Sequence, residues 1–279
     1  MKRNIHKSNG PLHVALDIET APAQSYGELP DKIRDYVDRK IAKARITDPE
    51  CEYSKFASTH PAFGRVVCIT LGCVDELDGA PIIVTRTLSG AEGELLTAFN
   101  AALSRFSATF VHYNGLSFDA PFILTRMRLA GLECTIPGFA DLRRFRSEPH
   151  CDLMEVLANW DRSRAISLEV AAFLAGLPTP KCDISGSQVA TAFAAGQVDK
   201  ISRYCERDVA TTVNIHRKLV LFLPVVPTSR CFWKDDSGAM RPIDFGDVSK
   251  GRAESNVSAL LCGKPSEVAA APAVSPAAA

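Results

Sequence analysis

Three short, largely apolar runs precede the amphipathic helix that begins near residue 89 of this 279-residue chain, and a fourth run follows that helix. Alternating or continuous apolar character over such short runs is typical of strands, and it predicts strands over residues 12–18, 65–74, 81–88 and 109–113. The intervening helix is predicted to open at Ser89, because Ser89 and Glu92 have the spacing of a capping box. A second helix is predicted over 118–130, with Gly131 as its stop.

Beyond residue 149 the pattern becomes mostly helical, with helices predicted over 167–175, 187–195 and 198–219, and a surface helix is predicted earlier over 31–44. We expect the first three strands to be mostly antiparallel. The fourth can lie parallel to the first through a right-handed crossover. This order predicts an α/β protein with a ribonuclease H-like mixed sheet flanked by helices.

The length of the chain suggests one large domain or two small ones. The predicted strands and helices end near residue 220, and a C-terminal extension is expected over 221–250. Residues 251–279 lose all periodicity, and the last dozen are almost entirely alanine, proline, valine and serine. Such a segment has too little apolar surface to bury, so we expect a disordered tail.

Charge and cysteine content exclude several classes of protein. The chain has 32 basic and 32 acidic residues, so a strongly basic nucleic-acid coat is excluded, although local patches such as Arg143, Arg144 and Arg146 remain. Nine cysteines without a CxxC pair do not fit a zinc ribbon and suggest reduced thiols. Neither a signal sequence nor an apolar run of membrane-spanning length is visible, so we expect a cytoplasmic protein with no membrane partner.

Two carboxylates lie where the first strand should be apolar. Asp17 and Glu19 are two residues apart, so they project from the same face of the strand, and Ile18 projects from the other. Paired carboxylates repel each other, and burying them without partners is costly. A divalent cation would remove both penalties, whereas a turn acid beside a helix-capping acid is the structural alternative.

Two further acids stand out on predicted helices. Asp208 falls inside the apolar stripe of the long helix, and Tyr204 is one turn earlier on the same face. Asp119 follows the turn signal Asn114-Gly115 at a helix N-terminus, where a capping role is the alternative. If both helices pack beside the first strand, four acids can converge at its carboxyl end. Oxygen ligands in this number suit Mg²⁺ or Mn²⁺.

These residues fall in three short motifs, Asp17-Ile18-Glu19-Thr20, Asn114-Gly115-Leu116-Ser117-Phe118-Asp119 and Tyr204-Cys205-Glu206-Arg207-Asp208. Together they resemble the exonuclease motifs of the DEDD superfamily. The Tyr-x-x-x-Asp form is similar to its tyrosine branch, DEDDy. Further similarity over 150–154, 167–169, 176–178 and 185–189 points to the stand-alone 3′-5′ exonucleases related to the proofreading domain of family B DNA polymerases. The resemblance covers residues 12–220.

The resemblance implies an exonuclease domain over 12–220 that hydrolyses phosphodiester bonds at the 3′ end of single-stranded DNA and releases nucleoside 5′-monophosphates. It implies that two Mg²⁺ or Mn²⁺ ions are held by Asp17, Glu19, Asp119 and Asp208. Our hypothesis is that Asp17 bridges both ions, and that Tyr204 orients the attacking water.

Several neighbouring residues are predicted to contact the substrate. Phe118 is a candidate for stacking on the terminal base, with a place in the core as the alternative. Asn114 either contacts the substrate backbone or only supplies the turn. Ser187, next to Gln188, either touches phosphate or caps a helix. The remaining predicted substrate contacts come from the first motif, at Ile18 and Thr20.

Two other functions remain open at the level of sequence, and a polymerase does not fit. An RNA-trimming exonuclease of the same fold would use the same acids, because the 2′-hydroxyl is read by other groups. A non-catalytic nucleic-acid-binding module would be expected to have lost at least one of the four acids, and none is lost. Residues after 220 leave no room for a polymerase domain, so a polymerase or repair protein acting in trans is the candidate protein partner.

Overall fold

In a computed structural model, residues 12–41, 49–181 and 183–246 are described. A seven-stranded mixed sheet with the order β5-β4-β1-β2-β3-β6-β7 forms the centre of the fold. Its strands are β1 (Leu12–Pro22), β2 (Gly64–Leu77), β3 (Ala80–Ser89), β4 (Ala108–His112), β5 (His150–Asp152), β6 (Cys231–Lys234) and β7 (Met240–Pro242).

The directions of the strands confirm the predicted fold class. Strands β1, β2 and β3 form an antiparallel meander, whereas β4 is parallel to β1 and β5 is parallel to β4. The helix between β3 and β4 supplies the crossover that returns the chain to the β1 side of the sheet. This is the mixed sheet of the ribonuclease H-like arrangement.

Helices cover both faces of the sheet. On one face, the helices over Glu92–Leu103 and Asp119–Leu129 pack on Leu16 and Ile18 of β1, and on the other face the helix over Val198–Ile215 packs against Ala15. The helices are α1 (Asp31–Ile41), α2 (Pro49–Thr59), α3 (Glu92–Leu103), α4 (Asp119–Leu129), α5 (Leu153–Leu157), α6 (Leu168–Leu174), α7 (Val189–Ala194) and α8 (Val198–Ile215). None of the helices in the described ranges is both long and apolar enough to cross a membrane.

Helix α8 is buried along most of its length and lies directly over the centre of the sheet. Gly72 of β2 allows this close approach, because a Cβ at that position would overlap Cγ1 of Val209 in α8. Gly72 also pairs with Ala15 of β1, so a glycine, an alanine and a valine meet where the helix crosses the two central strands. The residues of α8 nearer its N-terminus are thereby held over the carboxyl end of β1.

Several sequence-based predictions are corrected here. The capping box at Ser89 is wrong: Ser89 ends β3, and α3 begins at Glu92 after an N-cap, Ala91, whose side chain makes no capping bond. The carboxylate of Glu92 instead accepts hydrogen bonds from the backbone N–H of Val66 (2.7 Å) and from Arg126 (2.6 Å). A tertiary ion pair has replaced the local capping interaction.

Some elements were not predicted at all. Helix α2 lies in a segment without a clear apolar period, and β5 is only three residues long. Strands β6 and β7, inside the predicted extension, join the same sheet through β3. Residues 42–44 of the predicted surface helix, residues 247–250 of the extension and the predicted tail over 251–279 lie outside the described residues.

Candidate active site

The acids of the first motif lie where β1 loses one of its neighbours. Strand β4 pairs with β1 only from Leu12 to Ala15, whereas β2 pairs with β1 as far as Pro22. Asp17 and Glu19 both face α8, and their carboxylate oxygens lie within 4.8 Å of each other and of the Cys205 sulfur. The structure therefore confirms that the two carboxylates project from the same face of β1.

Asp119 reaches this position from the other face of the sheet. It is the first residue of α4, and its Oδ1 accepts a hydrogen bond from the backbone N–H of Ile18 at 3.0 Å. That N–H lies on the stretch of β1 that β4 does not cover. Asp119 thus provides an acceptor for an unpaired N–H of the strand and places its own carboxylate near Asp17. Burial raises the pKa of Asp17, and the charge of Asp119 raises it further.

The loop that delivers Asp119 is fixed by a buried acid. Both carboxylate oxygens of Asp152 accept backbone hydrogen bonds from this loop, from Asn114 (2.9 Å) and Leu116 (3.0 Å). Asn114 has a positive φ of 70°, and a Cβ on Gly115 would overlap the ring of His112. The conformation of the turn therefore depends on glycine at position 115 and on the two hydrogen bonds that Asp152 accepts.

Tyr204 and Asp208 come from α8 and are both buried. Oδ1 of Asp208 is buried and has no hydrogen-bond partner among the described residues. Between them in sequence, the thiol of Cys205 donates to Oδ2 of Asp17 at 3.2 Å. An orphaned carboxylate oxygen beside three other acids is an expensive arrangement for a chain to retain on stability grounds alone.

Burial controls the ionisation of this cluster. Desolvation raises the pKa of both Asp119 and Asp208 to about 7, and it raises the pKa of Asp17 and Glu19 well above the usual range. Mutual repulsion adds to the effect for Asp17 and Glu19. At neutral pH Asp119 and Asp208 are thus poised to exchange protons for a cation.

A family of known sequences matches residues 54–226, which is more than half of the chain. Its description is "Predicted 3′-5′ exonuclease related to the exonuclease domain of PolB". The chain belongs to this exonuclease family. The match includes Asp119, Tyr204 and Asp208, whereas Asp17 and Glu19 lie before its start.

Among solved structures, the exonuclease is similar to the family B DNA polymerase of the hyperthermophilic archaeon Pyrobaculum calidifontis, with a TM-score of 0.48 and 17% identity. The alignment covers 76% of this chain and 25% of the polymerase, so the chain spans about a quarter of that protein's length. No curated protein sequence matches the chain significantly.

The donor chemistry of the exonuclease cluster fits hard divalent cations. The four carboxylates offer oxygen ligands, which Mg²⁺ and Mn²⁺ prefer. The thiol of Cys205 has a pKa raised well above its ordinary value by burial and donates a hydrogen bond to Asp17, so it stays protonated and is a poor ligand. The unpartnered Oδ1 of Asp208 leaves a lone pair free for a cation.

The five residues predicted to contact substrate are spread around this cluster. The side chain of Ile18 is packed in the core, and Thr20 donates to the carbonyl of Ser58 at 2.5 Å. Phe118 is partly buried, with its ring 5.5 Å from that of Phe122. Asn114 is half-buried in the turn, and Ser187 is exposed in a short 3₁₀ turn before α7. Their contacts with substrate stay predictions.

Two residues with clear structural roles at the site were given none from sequence. Asp152 lies in a segment that resembles the family, yet an acid that follows His150 and Cys151 gives no local sign of the loop it holds. Cys205 falls inside the third motif, and it lies next to Asp17 in the fold although the two are 188 positions apart in the sequence. Only the expected convergence of the motifs could have indicated either contact.

Proposed function

We propose that this chain is a metal-dependent 3′-5′ exonuclease that acts on the 3′ end of single-stranded DNA and releases nucleoside 5′-monophosphates. The supporting observation is the convergence of four acids from β1, α4 and α8, one of them with an unpartnered buried oxygen. Membership of the exonuclease family supports the polarity of the reaction.

In this proposal Asp17, Glu19, Asp119 and Asp208 hold two Mg²⁺ or Mn²⁺ ions. Bound divalent ions supply a low-pKa water and neutralise charge on the phosphodiester and its leaving oxygen. Cys205 and Ile18 then act on the acids themselves, because each donates a hydrogen bond to a carboxylate oxygen and so limits the orientation of Asp17 and Asp119.

Tyr204 is proposed to orient the attacking water. Burial and the neighbouring Asp208 raise the pKa of its phenol, so the hydroxyl keeps its proton at neutral pH. A protonated phenol cannot serve as the base, but it can donate a hydrogen bond to one oxygen and accept one from another. Its role is therefore one of alignment, and it is secondary to that of the acids.

A buried cluster favours a single-stranded terminus. Glu19, Asp119 and Asp208 are each at most 9% exposed, so a scissile phosphate must enter the fold to reach them. A paired 3′ end would first have to fray, which costs base-pairing and stacking energy. Phe118, at the rim of the core beside Asp119, is placed to contact the terminal base.

The deciding experiment is degradation of single strands labelled at the 3′ or the 5′ end, with Mg²⁺, Mn²⁺ or a chelator. We expect immediate release of the 3′ label as a mononucleotide, progressive shortening of 5′-labelled strands and no reaction with the chelator. Loss of the 5′ label first, or full activity in the chelator, would contradict the proposal.

Matched controls separate this site from contaminating nucleases. Asp17→Ala and Asp208→Ala should abolish release while the fold is retained, whereas Asp78→Ala changes an acid in the β2–β3 turn and should have no effect. Equal oligonucleotides of DNA and RNA decide the sugar preference. A cytoplasmic location and a polymerase or repair partner in trans stay predictions.

A further inference from the structure

A second surface lies beside the loop that carries Asp119. It consists of Arg144, Phe145, Trp160 and Arg162, and we call it the aromatic–arginine surface. Phe145 is 71% exposed, and its ring centroid lies 6.3 Å from that of Trp160 with the planes tilted by 36°. The guanidinium of Arg144 lies 5.4 Å from the centre of the Phe145 ring. An exposed ring, Phe145, and a half-buried ring, Trp160, are thus held next to cationic groups.

The aromatic–arginine surface is attached directly to the candidate active site. Arg162 donates a hydrogen bond to the hydroxyl of Ser117, two residues before Asp119 in the loop. It also donates to Oε1 of the buried Glu155 at 3.0 Å, while Arg144 donates to Oε2 at 2.6 Å. One carboxylate therefore fixes both arginines, and through Arg162 it fixes their distance from the Asp119 loop.

Two acids of this region are each shared by two arginines. Glu155 is shared by Arg144 and Arg162, and Asp141 is shared by Arg143 and Arg146. Within these two sets four guanidinium groups face two carboxylates, which leaves a local surplus of two positive charges, whereas residues 141–164 as a whole have five arginines and five acids. Although burial by itself raises the pKa of Glu155, the two guanidinium groups bring it below its usual value, so Glu155 stays ionised. The surface suits an anionic partner.

The backbone holds both rings in unusual conformations. Phe145 has φ 65° and Trp160 has φ 59°, in the left-handed region that bulky side chains rarely adopt. Such strain persists only when surrounding contacts over-determine it, and it clusters at ligand sites. For Phe145 the strain brings little burial in return, because the ring remains in solvent.

We propose that the aromatic–arginine surface binds the unpaired strand upstream of the 3′ terminus, with one base stacked on Phe145 and phosphates held by Arg144 and Arg143. The inference rests on the proposed function and adds a second binding site to it. Exposed aromatic rings beside arginines are the combination that binds single strands, since every base has a stacking face and every linkage a negative charge.

Binding in a chelator tests the inference without hydrolysis. The probe is a 5′-fluorescein-labelled twelve-residue oligothymidylate, followed by anisotropy. Phe145→Ala should raise its Kd by ~10-fold, the loss expected for one stacked base. Phe222→Ala is the matched control, because Phe222 is also exposed (87%) with φ 54°. It follows Leu221, which lines a cavity with Leu12 at the opposite end of β1.

Substrate length gives a second readout. With Mg²⁺, Phe145→Ala should raise KM for the twelve-residue strand and leave kcat unchanged, and both constants should be unchanged for a dinucleotide that is too short to reach the ring. An unchanged Kd and KM for the long strand would overturn the inference while nucleotide release by the parent protein still supported the proposed function. Absence of release by the parent protein, with weaker binding by the variant, would overturn the proposed function alone.

Tryptophan fluorescence supplies an independent check. The chain has two tryptophans, so Trp233→Phe leaves Trp160 as the single reporter. Trp233 lies under Arg203 on β6, which is separated from β5 by four strands in the sheet order. Titration with unlabelled oligothymidylate should quench the remaining emission. Emission that does not change at saturating strand concentration would contradict a place for the strand beside Trp160.

Discussion

The carboxylate of Asp119 accepts a hydrogen bond from the backbone N–H of Ile18, 101 residues earlier in the chain. This contact joins the start of α4 to the uncovered edge of β1, between Asp17 and Glu19. Asp119 therefore has two roles: it accepts the hydrogen bond from the strand, and it supplies the fourth carboxylate of the acid cluster. Substitutions at this position can separate them.

Asp119→Asn should keep the fold and lose activity. The amide oxygen can still accept from the N–H of Ile18, but the negative charge is gone. We expect nucleotide release to fall by about 100-fold or more, with little change in Tm. Release from a 3′-labelled strand and thermal unfolding measure the two effects.

Asp119→Ala should lose activity and stability together. It leaves the N–H of Ile18 buried without an acceptor, which costs on the order of 1–3 kcal/mol. The Asn and Ala variants are therefore each other's control. Equal Tm values for the two would show that the hydrogen bond to Ile18 contributes nothing measurable to the fold.

Tyr204→Phe should lower kcat by about 10- to 100-fold and leave metal binding intact, because alignment of a water is removed while the acids remain. Activity as a function of Mg²⁺ concentration gives both quantities. A rate equal to that of the parent protein would exclude the aligning role. A shifted Mg²⁺ midpoint would mean that Tyr204 supports the acids instead.

The free energy of unfolding of the metal-free protein should fall as pH rises from about 4 to about 7. Asp208 has a folded pKa of about 7 against an unfolded value near 4, so the folded protein holds the proton more tightly and loses that advantage on ionisation. The loss for one such group is up to about 1.4 kcal/mol per pH unit. Urea unfolding at several pH values, in chelator, measures it.

Asp208→Asn is the control for this pH dependence. An amide at position 208 does not titrate, so the variant should be more stable than the parent at pH 7.5 and its stability should change less between pH 4 and 7. Added Mg²⁺ should stabilise the parent protein more than the variant, and more at pH 7.5 than at pH 5. Parallel pH curves for the two proteins would contradict the origin assigned to the effect.

Gly115→Ala should damage the site through the loop. The new Cβ overlaps the buried ring of His112, so the loop has to move and Asp119 moves with it. We expect a lower Tm and at least a 10-fold loss of activity. Gly93→Ala is the matched control: Gly93 lies in α3 with open space around it, and alanine there should leave activity unchanged and raise Tm slightly.

Sequence reasoning could predict the centre of the fold and the position of the acids. A carboxylate on an apolar face is visible in one dimension, and the long helix that carries Asp208 has a clear period. The predicted 198–219 helix corresponds to α8 and the π-helical turn His216–Val220 that follows it. These features depend on local pattern, which is why they were recoverable.

The rest depends on contacts between distant segments. Glu92 forms an ion pair with Arg126 and not a local cap. Asp152 accepts a hydrogen bond from Asn114, 38 residues earlier in the chain. Such contacts form because a buried donor without an acceptor costs free energy. The two partners are too far apart in the sequence for a local pattern to reveal them. The pairing of β6 with β3 was hidden for the same reason.

The pairing of β6 with β3 also bears on where the chain can be shortened. The family match stops at residue 226, yet Ile83, Val84 and Thr85 of β3 find their outer partners only at Cys231, Phe232 and Trp233. A protein truncated at residue 226 would expose the unpaired edge of β3, which could then pair with a strand of a second molecule. Soluble, monomeric preparations of this nuclease should therefore need residues through Phe245, whose side chain closes the same core.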